Sequence, residues 1–529
     1  MSSTNVERAA KAEQLRITQA KVQRSLPLPG HPNNHDEDDQ PNRVGSYSKG
    51  LPHNDLGEVD DDAYDAMVLA LNSQDPDDFE AIPMGEPNIS KRRKLVNPQA
   101  GLAFDLAGAD SHHLFLCPPP RFDSAETAGE MVENYWMALT RDIAYSTYEG
   151  ASTPPLIKKA IDDLNKLSDF RGPKINGKVT TRTLFRGFAP GDLDGPYVSQ
   201  FLLKAAKFGA DIIEQRIQTT TPGKDFMTKY DEWLAVQRGT NPPPNTFDPI
   251  TRYIRNGRDG GQYVHIDVLF QAYFDACLII AAPVDPDPLV TDGFGVPLNP
   301  GNPYVASDNQ DGFATFGPPH IKGLIGEAAV HALKAVWFQK WSVHRRLRPE
   351  VFAGRVHNHK TGKASYPIHK DVLNSEALKQ VFAANNTYLL PMAFTEGSPL
   401  HPSYGSGHAT VAGACVTILK WFFDGSFVLK DPMMPNHDPA HPDVDGTTLV
   451  PYEGSDKDTL TVEGELNKLA SNIGISRNIS GVHWRSDYAE SLRLGEEVAL
   501  RTLMDFRATV NEDFAGCTFN KFDGTPVTI

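Results

Sequence analysis

Three short segments in the C-terminal half of this 529-residue chain concentrate groups suited to holding a small oxyanion. The first, KWSVHRRLRPE (340–350), gathers Lys340, His344, Arg345, Arg346 and Arg348 within nine residues. Taken alone it reads equally well as a solvated basic helix end, favoured there by the helix dipole. The second, HPSYGSGHATVAGACVTILKWFF (401–423), is a Gly/Ser/Tyr turn running into an apolar helix, with Ser406 and Gly407 where the helix starts. Unpaired N–H groups and the positive dipole end at that position favour an anion. Ser406 adds a hydroxyl, and His408 in the first turn is placed to move protons; the bland alternative is a simple cap. The third, SRNISGVHWRSD (476–487), sets Arg477 six residues before His483 and Asp487 four residues after it. Asp487 is placed to orient His483, which otherwise reads as an ordinary core or capping histidine. Taken together, Lys340, Arg348 and Arg477 supply charge, Ser406 and the Gly407 N–H supply neutral donors, and two histidines complete a site for a tetrahedral oxyanion. Arginine suits bidentate contact and lysine gives a point charge.

Helices must position these groups. Periodic apolar residues predict helices over 154–167, 196–209, 264–282, 321–341, 407–423, 460–476 and 487–506. Asp123 and Glu126 read as a capping box for a helix whose stripe is Met131, Tyr135, Leu139 and Ile143. Pro349 is expected to help end the 321–341 helix. A Pro/Gly-rich loop over 283–304 separates an N-terminal helical bundle (96–304) from a C-terminal one (305–529) that carries the site. Residues 1–95 read as an extended arm with a short helix at 61–72, since Pro, Gly, Asn and Asp dominate residues 25 to 60. Such an arm can wrap a neighbouring subunit. Strand-like alternation is scarce, so the fold class is mainly α.

Composition bounds the partners. Lys plus Arg is 51 against 67 Asp plus Glu, a net charge of −16. So acidic a surface argues against nucleic acid or an anionic membrane as partner. No apolar run approaches the length of a transmembrane helix. The opening residues carry charges throughout and no signal-peptide core, so the default expectation is a cytoplasmic chain. Cys117, Cys277, Cys415 and Cys517 are widely spaced and read as buried free thiols.

The three segments resemble the signature of the vanadium-dependent haloperoxidases, which share a superfamily with type 2 phosphatidic acid phosphatases and class A acid phosphatases. The shared pattern runs K-x6-RP, PSGH, SR-x5-H-x3-D. Ser476, Arg477, His483 and Asp487 fit its third part fully, but seven residues separate Lys340 from Arg348, and Gly405 stands where the pattern has Pro. Both departures are similar to the red-algal and cyanobacterial bromoperoxidase type. So are HRRLRPE (344–350), LLPMAFTEGSPLHPSYGSGHATVAGACVTILKWFFDG (389–425), TVEGELNKLASNIGISRN (461–478), GLPHND (50–55), GLAFDLAG (101–108) and TPGKDFMT (221–228). The likeness runs from about residue 45 to the end.

That resemblance implies two four-helix bundles, with vanadate held by Lys340, Arg348, Ser406, Gly407 and Arg477 and with His483 as the nitrogen ligand to vanadium. His408 and Lys340 would be catalytic, with hydrogen peroxide and bromide as substrates and iodide and weak chloride activity beside bromide. Trp337, one helical turn before Lys340, and His401 would line the halide pocket. Trp at the first position resembles brown-algal and fungal enzymes, whereas His at the second resembles bromoperoxidases. SDNQDGF (307–313) is similar to a calcium-binding loop, with Asp308 and Gln310 as oxygen ligands. A homo-oligomer, a dodecamer in this subfamily, is also implied. The competing functions are an acid phosphatase with His483 as nucleophile and a non-catalytic oligomeric shell protein with a vestigial anion site.

Overall fold

The protein is described by a computed structural model covering residues 4–282, 294–429 and 438–529. Ten helices bear on the site and are numbered here along the chain. They are α1 (Asn5–Ser25), α2 (Asp61–Ser73), α3 (Ala125–Thr140), α4 (Gly257–Ile266) and α5 (Gln271–Ala281), followed by α6 (Pro318–Phe338), α7 (Pro349–Lys360), α8 (Gly407–Phe422), α9 (Val462–Ile479) and α10 (Arg485–Thr509).

The fold is mainly α, with four two-stranded antiparallel sheets among the described residues. Helices α6, α8, α9 and α10 form a four-helix bundle in which α8 touches all three others. Every α8 residue except His408 is buried, so this helix is the bundle's core rod. Small residues let its neighbour approach closely. A Cβ on Gly495 of α10 would fall 1.9 Å from the Thr410 carbonyl oxygen, so only glycine fits there. A second group of helices surrounds α3: the segments 155–164, 370–374 and 376–385 pack on it or on each other. Packing thus crosses position 304, and one buried apolar cluster runs from Val44 to Ile529.

Several expectations change. The 196–209 segment is not a helix: it holds a 3₁₀ turn, Gln200–Leu202, and a strand, Ala206–Phe208, paired with Asp211–Ile213. Its apolar residues are buried by the turn, where Ser199 caps locally, rather than by a continuous stripe. The 264–282 segment is broken: α4 ends at Ile266 and α5 starts at Gln271, with a 99° bend between them. Asp267 lies in the break. Ser124, not Asp123, caps α3, accepting from the Thr127 N–H at 3.1 Å. Pro349 opens α7 rather than closing α6; what ends α6 is a π turn, Gln339–His344. Cys277, Cys415 and Cys517 are buried and free, whereas Cys117 is exposed. Residues 283–293 of the expected loop fall outside the described residues.

The stretch expected to form an arm shows two behaviours. Helix α1 buries none of its residues. From Tyr47 to Ile82, however, Tyr47, Leu51, Tyr64, Met67 and Ala70 close a second apolar core around Trp341, one residue after Lys340. Lys49 reaches inward to Glu350 at 2.5 Å, both side chains fully buried. The few apolar residues of this stretch suffice because they pack on a surface that the C-terminal half provides. Among the described residues, no single helix is long and apolar enough to cross a membrane.

Candidate active site

The site is built where three chain segments meet: the π turn after α6, the 401–406 loop entering α8, and the turn between α9 and α10. A π turn holds one more residue than an α turn and often marks functional positions. It lets Lys340 and Arg348, separated by seven residues, turn onto the same loop. Arg345 at its end adopts φ 34° and ψ 41°, a left-handed conformation that is strained for a side chain this large. Its guanidinium is held by Glu37 at 2.7 Å and by the Trp341 carbonyl at 2.9 Å.

Lys340 is fully buried. Its ammonium donates to the carbonyls of Pro402 at 2.9 Å, Ser403 at 3.1 Å and Gly405. Arg348 donates to the carbonyls of His401 and Val482, at 2.9 and 2.8 Å, and to His483 Nε2 at 3.0 Å. Arg477 donates to the Val264 carbonyl at 2.8 Å, while its buried Nε has no partner. These cations lie close enough to oppose one another. Burial and the Arg348 charge hold the Lys340 ammonium well below its ordinary range, with Asp487 opposing. Burial likewise brings Arg348 and Arg477 to about 10. Buried cations that disfavour one another favour an anion placed between them.

Ser406 caps α8, its Oγ accepting from the Ala409 N–H at 3.4 Å and its own N–H donating to Ser491 Oγ at 2.8 Å. The N–H groups of Gly407 and His408, in the first turn of this 16-residue helix, make no hydrogen bond among the described residues. A Cβ on Gly407 would stand 3.2 Å from the Trp337 ring, so the residue is glycine beside a shaped space.

His483 sits at the turn opened by Gly481, whose φ of +85° suits glycine. Its Nδ1 bonds Asp487 Oδ2 at 2.8 Å. Asp487 in turn is saturated: Oδ2 also accepts from the Trp484 N–H at 3.2 Å and from Ser403 Oγ, and Oδ1 accepts from Arg346 at 3.0 Å. This network assigns the proton of His483 to Nδ1 and leaves the lone pair on Nε2, the side facing Arg348. Burial and the Arg348, Lys340 and Arg477 charges hold His483 neutral.

A cavity of about 260 Å³ is lined by Trp337, His401, Gly407, His408, Arg477 and His483, among others. Lys340, Arg348 and Ser406 are not in its lining; they sit behind it. The Trp337 and His401 rings pack at a 36° tilt with centres 4.8 Å apart, and Lys340 Nζ lies 5.6 Å from the centre of the Trp337 ring. Burial and the Lys340 and Arg348 charges keep His401 neutral. His408 Nε2 bonds Asp267 Oδ1 at 3.1 Å. Burial lowers the His408 pKa, and Asp267 opposes that.

Three contributors carry no local sequence signal. Asp267 stands 141 residues before His408. Arg346 is part of the basic run, but it turns away from the cavity to Glu130 at 2.8 Å and to Asp487. At the cavity edge, His265 bonds Glu396 at 2.6 Å and stacks on Phe394 at 4.0 Å. Asp308 and Gln310 are exposed and lie in a turn in which the Gln310 N–H donates to Ser307 Oγ at 3.1 Å.

The residues fit a tetrahedral oxyanion such as vanadate. The unpartnered Arg477 Nε, the open first turn of α8 and the space beside Gly407 suit a ligand with several acceptor oxygens. The lone pair of His483 Nε2 adds a nitrogen donor.

Known proteins bear on the same residues. A family model for the VCPO second helical-bundle domain matches residues 323–512. The vanadium-dependent bromoperoxidase of Corallina pilulifera is 38% identical, the match covering 92% of this chain and 91% of that protein. The bromoperoxidase of the same description from Ascophyllum nodosum is 35% identical over 89% of this chain and 84% of its own length. The structure of the homohexameric second vanadate-dependent bromoperoxidase (AnII) of Ascophyllum nodosum superposes with a TM-score of 0.91, at 32% identity, over 99% of this chain and 90% of that one. With relatives of one description matching it nearly end to end, the chain belongs to the vanadium-dependent bromoperoxidase family.

Proposed function

We propose that this protein uses vanadate and hydrogen peroxide to oxidise bromide and iodide, and chloride weakly, to hypohalite, which then halogenates organic substrates. The observation that supports this most directly is the grouping of three cations around the neutral His483, with Arg477 in the cavity wall and Lys340 and Arg348 behind it. Vanadate would be held by Lys340, Arg348, Ser406, Gly407 and Arg477, with His483 Nε2 as ligand to vanadium. When bound, it supplies a V(V) Lewis acid that stays V(V) and makes peroxide oxygen electrophilic toward halide.

The chain's own groups do the rest. Asp487 holds His483 in the tautomer that exposes Nε2 as a donor. His408 keeps its Nε2 proton on Asp267, which leaves Nδ1 as the basic nitrogen; the imidazolium formed on taking a proton from peroxide is stabilised by the Asp267 carboxylate. Lys340 supplies a buried amine behind the cavity, whose ammonium form a bound anion would favour. Trp337 and His401 form an uncharged aromatic wall for a halide drawn in by the cations behind them.

Removing bound metal, adding orthovanadate and following bromination of a dye with peroxide and bromide tests the reading. The absence of vanadate-dependent bromination would overturn it. Phosphate present during reconstitution should block activity by occupying the same site. Hydrolysis of a phosphate ester without vanadate would favour the competing use of His483 as a phosphatase nucleophile.

Two further features belong to this reading. Asp308 and Gln310 would ligate calcium, and D308N should abolish calcium binding measured by titration. The chain would act as a homo-oligomer; the superposed relative is described as a homohexamer, so sedimentation should distinguish six copies from the dodecamer implied by the sequence resemblance.

A further inference from the structure

A second set of ligating groups lies away from the oxyanion cavity. The 3₁₀ turn Ser111–His113 and the residue before it bring together Asp110, His112 and His113. Each offers one ligand atom, and these atoms lie within 4.8 Å of one another. No other such His/Cys/Asp/Glu group occurs among the described residues. In an extended strand, consecutive side chains point apart. Here the tight turn brings the His112 and His113 rings to a centre distance of 4.3 Å.

The cluster is not consumed by other bonds. His113 Nδ1 is buried with no hydrogen-bond partner. One Asp110 oxygen accepts from the Asp105 N–H at 2.8 Å. All three residues are half-buried in the wall of a cavity of about 960 Å³ that lies between α1 and α10. Two imidazoles and one carboxylate suit borderline first-row divalent cations, whereas Ca²⁺ and Mg²⁺ prefer all-oxygen shells. Three protein donors leave room for water or a small ligand from the cavity side.

We propose that Asp110, His112 and His113 bind one borderline divalent cation, with Zn²⁺ the best fit, at a site separate from the oxyanion cavity. The ion has a structural consequence. His31 Nε2 bonds the His112 carbonyl at 2.9 Å, so the ion would rigidify the turn on which the connector following α1 is anchored.

The test uses the full-length, vanadate-loaded protein, titrated separately with Zn²⁺ and Co²⁺ and desalted before metal counting. The expected result is one retained Zn²⁺ per chain and a Co²⁺ visible absorption band. Both should be lost in H112A/H113A, and Zn²⁺ affinity should fall at least tenfold in D110N, with bromination unchanged in D110N. If the double variant fails to fold, D110N alone decides. Wild-type protein that retains no stoichiometric Zn²⁺, or a D110N variant that binds Zn²⁺ as tightly as wild type, overturns the proposal.

Discussion

His483 Nδ1 lies 2.8 Å from Asp487 Oδ2, and the other oxygen of that carboxylate lies 3.0 Å from Arg346. The histidine that would ligate vanadium is therefore aimed by a carboxylate whose own position is fixed by a buried arginine that never reaches the cavity.

Replacing Asp487 by Asn should cut vanadate affinity by about 10- to 100-fold, the usual effect of removing the partner of a ligating histidine. Asp487→Ala should in addition destabilise the fold by roughly 3–5 kcal/mol, because it strips a buried charge partner from Arg346. Vanadate titration and denaturant melts separate the two effects. Unchanged affinity in Asp487→Asn would refute the orienting role.

His483→Ala should lose vanadium and bromination together. Metal analysis after gel filtration, alongside the dye assay, checks this; a fully active variant refutes the ligand role.

The His408–Asp267 pair makes a pH prediction. Burial pulls His408 below its ordinary value and Asp267 pulls it back up. A base must be neutral to work, so activity falls as pH drops through the His408 pKa. Asp267→Asn removes the opposing charge and lowers that pKa further. The acidic limb of the kcat/KM profile should therefore move to lower pH, with a reduced plateau. A limb that moves upward contradicts the assignment.

At Gly407, stability and ligand affinity should part company. Alanine is intrinsically the better helix former, by about 1 kcal/mol in a helix interior. Yet its Cβ would stand 3.2 Å from Trp337, in the space beside the open N–H groups. Gly407→Ala should leave Tm within a few degrees of wild type and weaken vanadate binding at least tenfold. Undiminished binding would show that this space is not used.

Lys49→Met should cost roughly 3–5 kcal/mol by leaving Glu350 buried without its cation. The Glu350 side chain would keep the Ser398 N–H at 2.8 Å and Ser398 Oγ at 2.7 Å. The double variant Lys49→Met/Glu350→Gln should recover part of that loss. Chemical denaturation checks both; a neutral single variant refutes the coupling.

The bundle and the segments that meet at the cavity were legible because both are local: helices show a 3.6-residue period, and Ser406–Gly407–His408 or Arg477…His483…Asp487 group polar side chains within a few residues. The misread elements depend on distant partners. The 196–209 segment has a helical pattern, but its apolar residues meet neighbours better from a turn and a strand. The break at Asp267 is invisible in a run that is apolar on both sides, and its value emerges only when His408, 141 positions on, arrives beside it. Within the basic run 340–348, tertiary structure sends Arg345 to Glu37, Arg346 to Glu130 and Asp487, and Lys340 and Arg348 to the 401–405 carbonyls. Residues 25 to 60 read as an arm with too few apolar residues for a core, which fits a core whose other half, Trp341, lies far along the chain, while the short helix read at 61–72 is present as α2.

That shared core has a consequence for the order of assembly. Lys49 and Glu350 are separated by 301 positions, and Trp341 joins the apolar cluster that begins at Tyr47. Joining them closes a loop of more than half the chain, an entropic cost met only once both ends exist. Contacts of such long range also form slowly. During synthesis the N-terminal residues must wait, unsatisfied, until residue 350 has emerged. The wall behind Lys340 is thus among the last parts of the molecule to close. Cofactor uptake is then expected to follow completion of the chain.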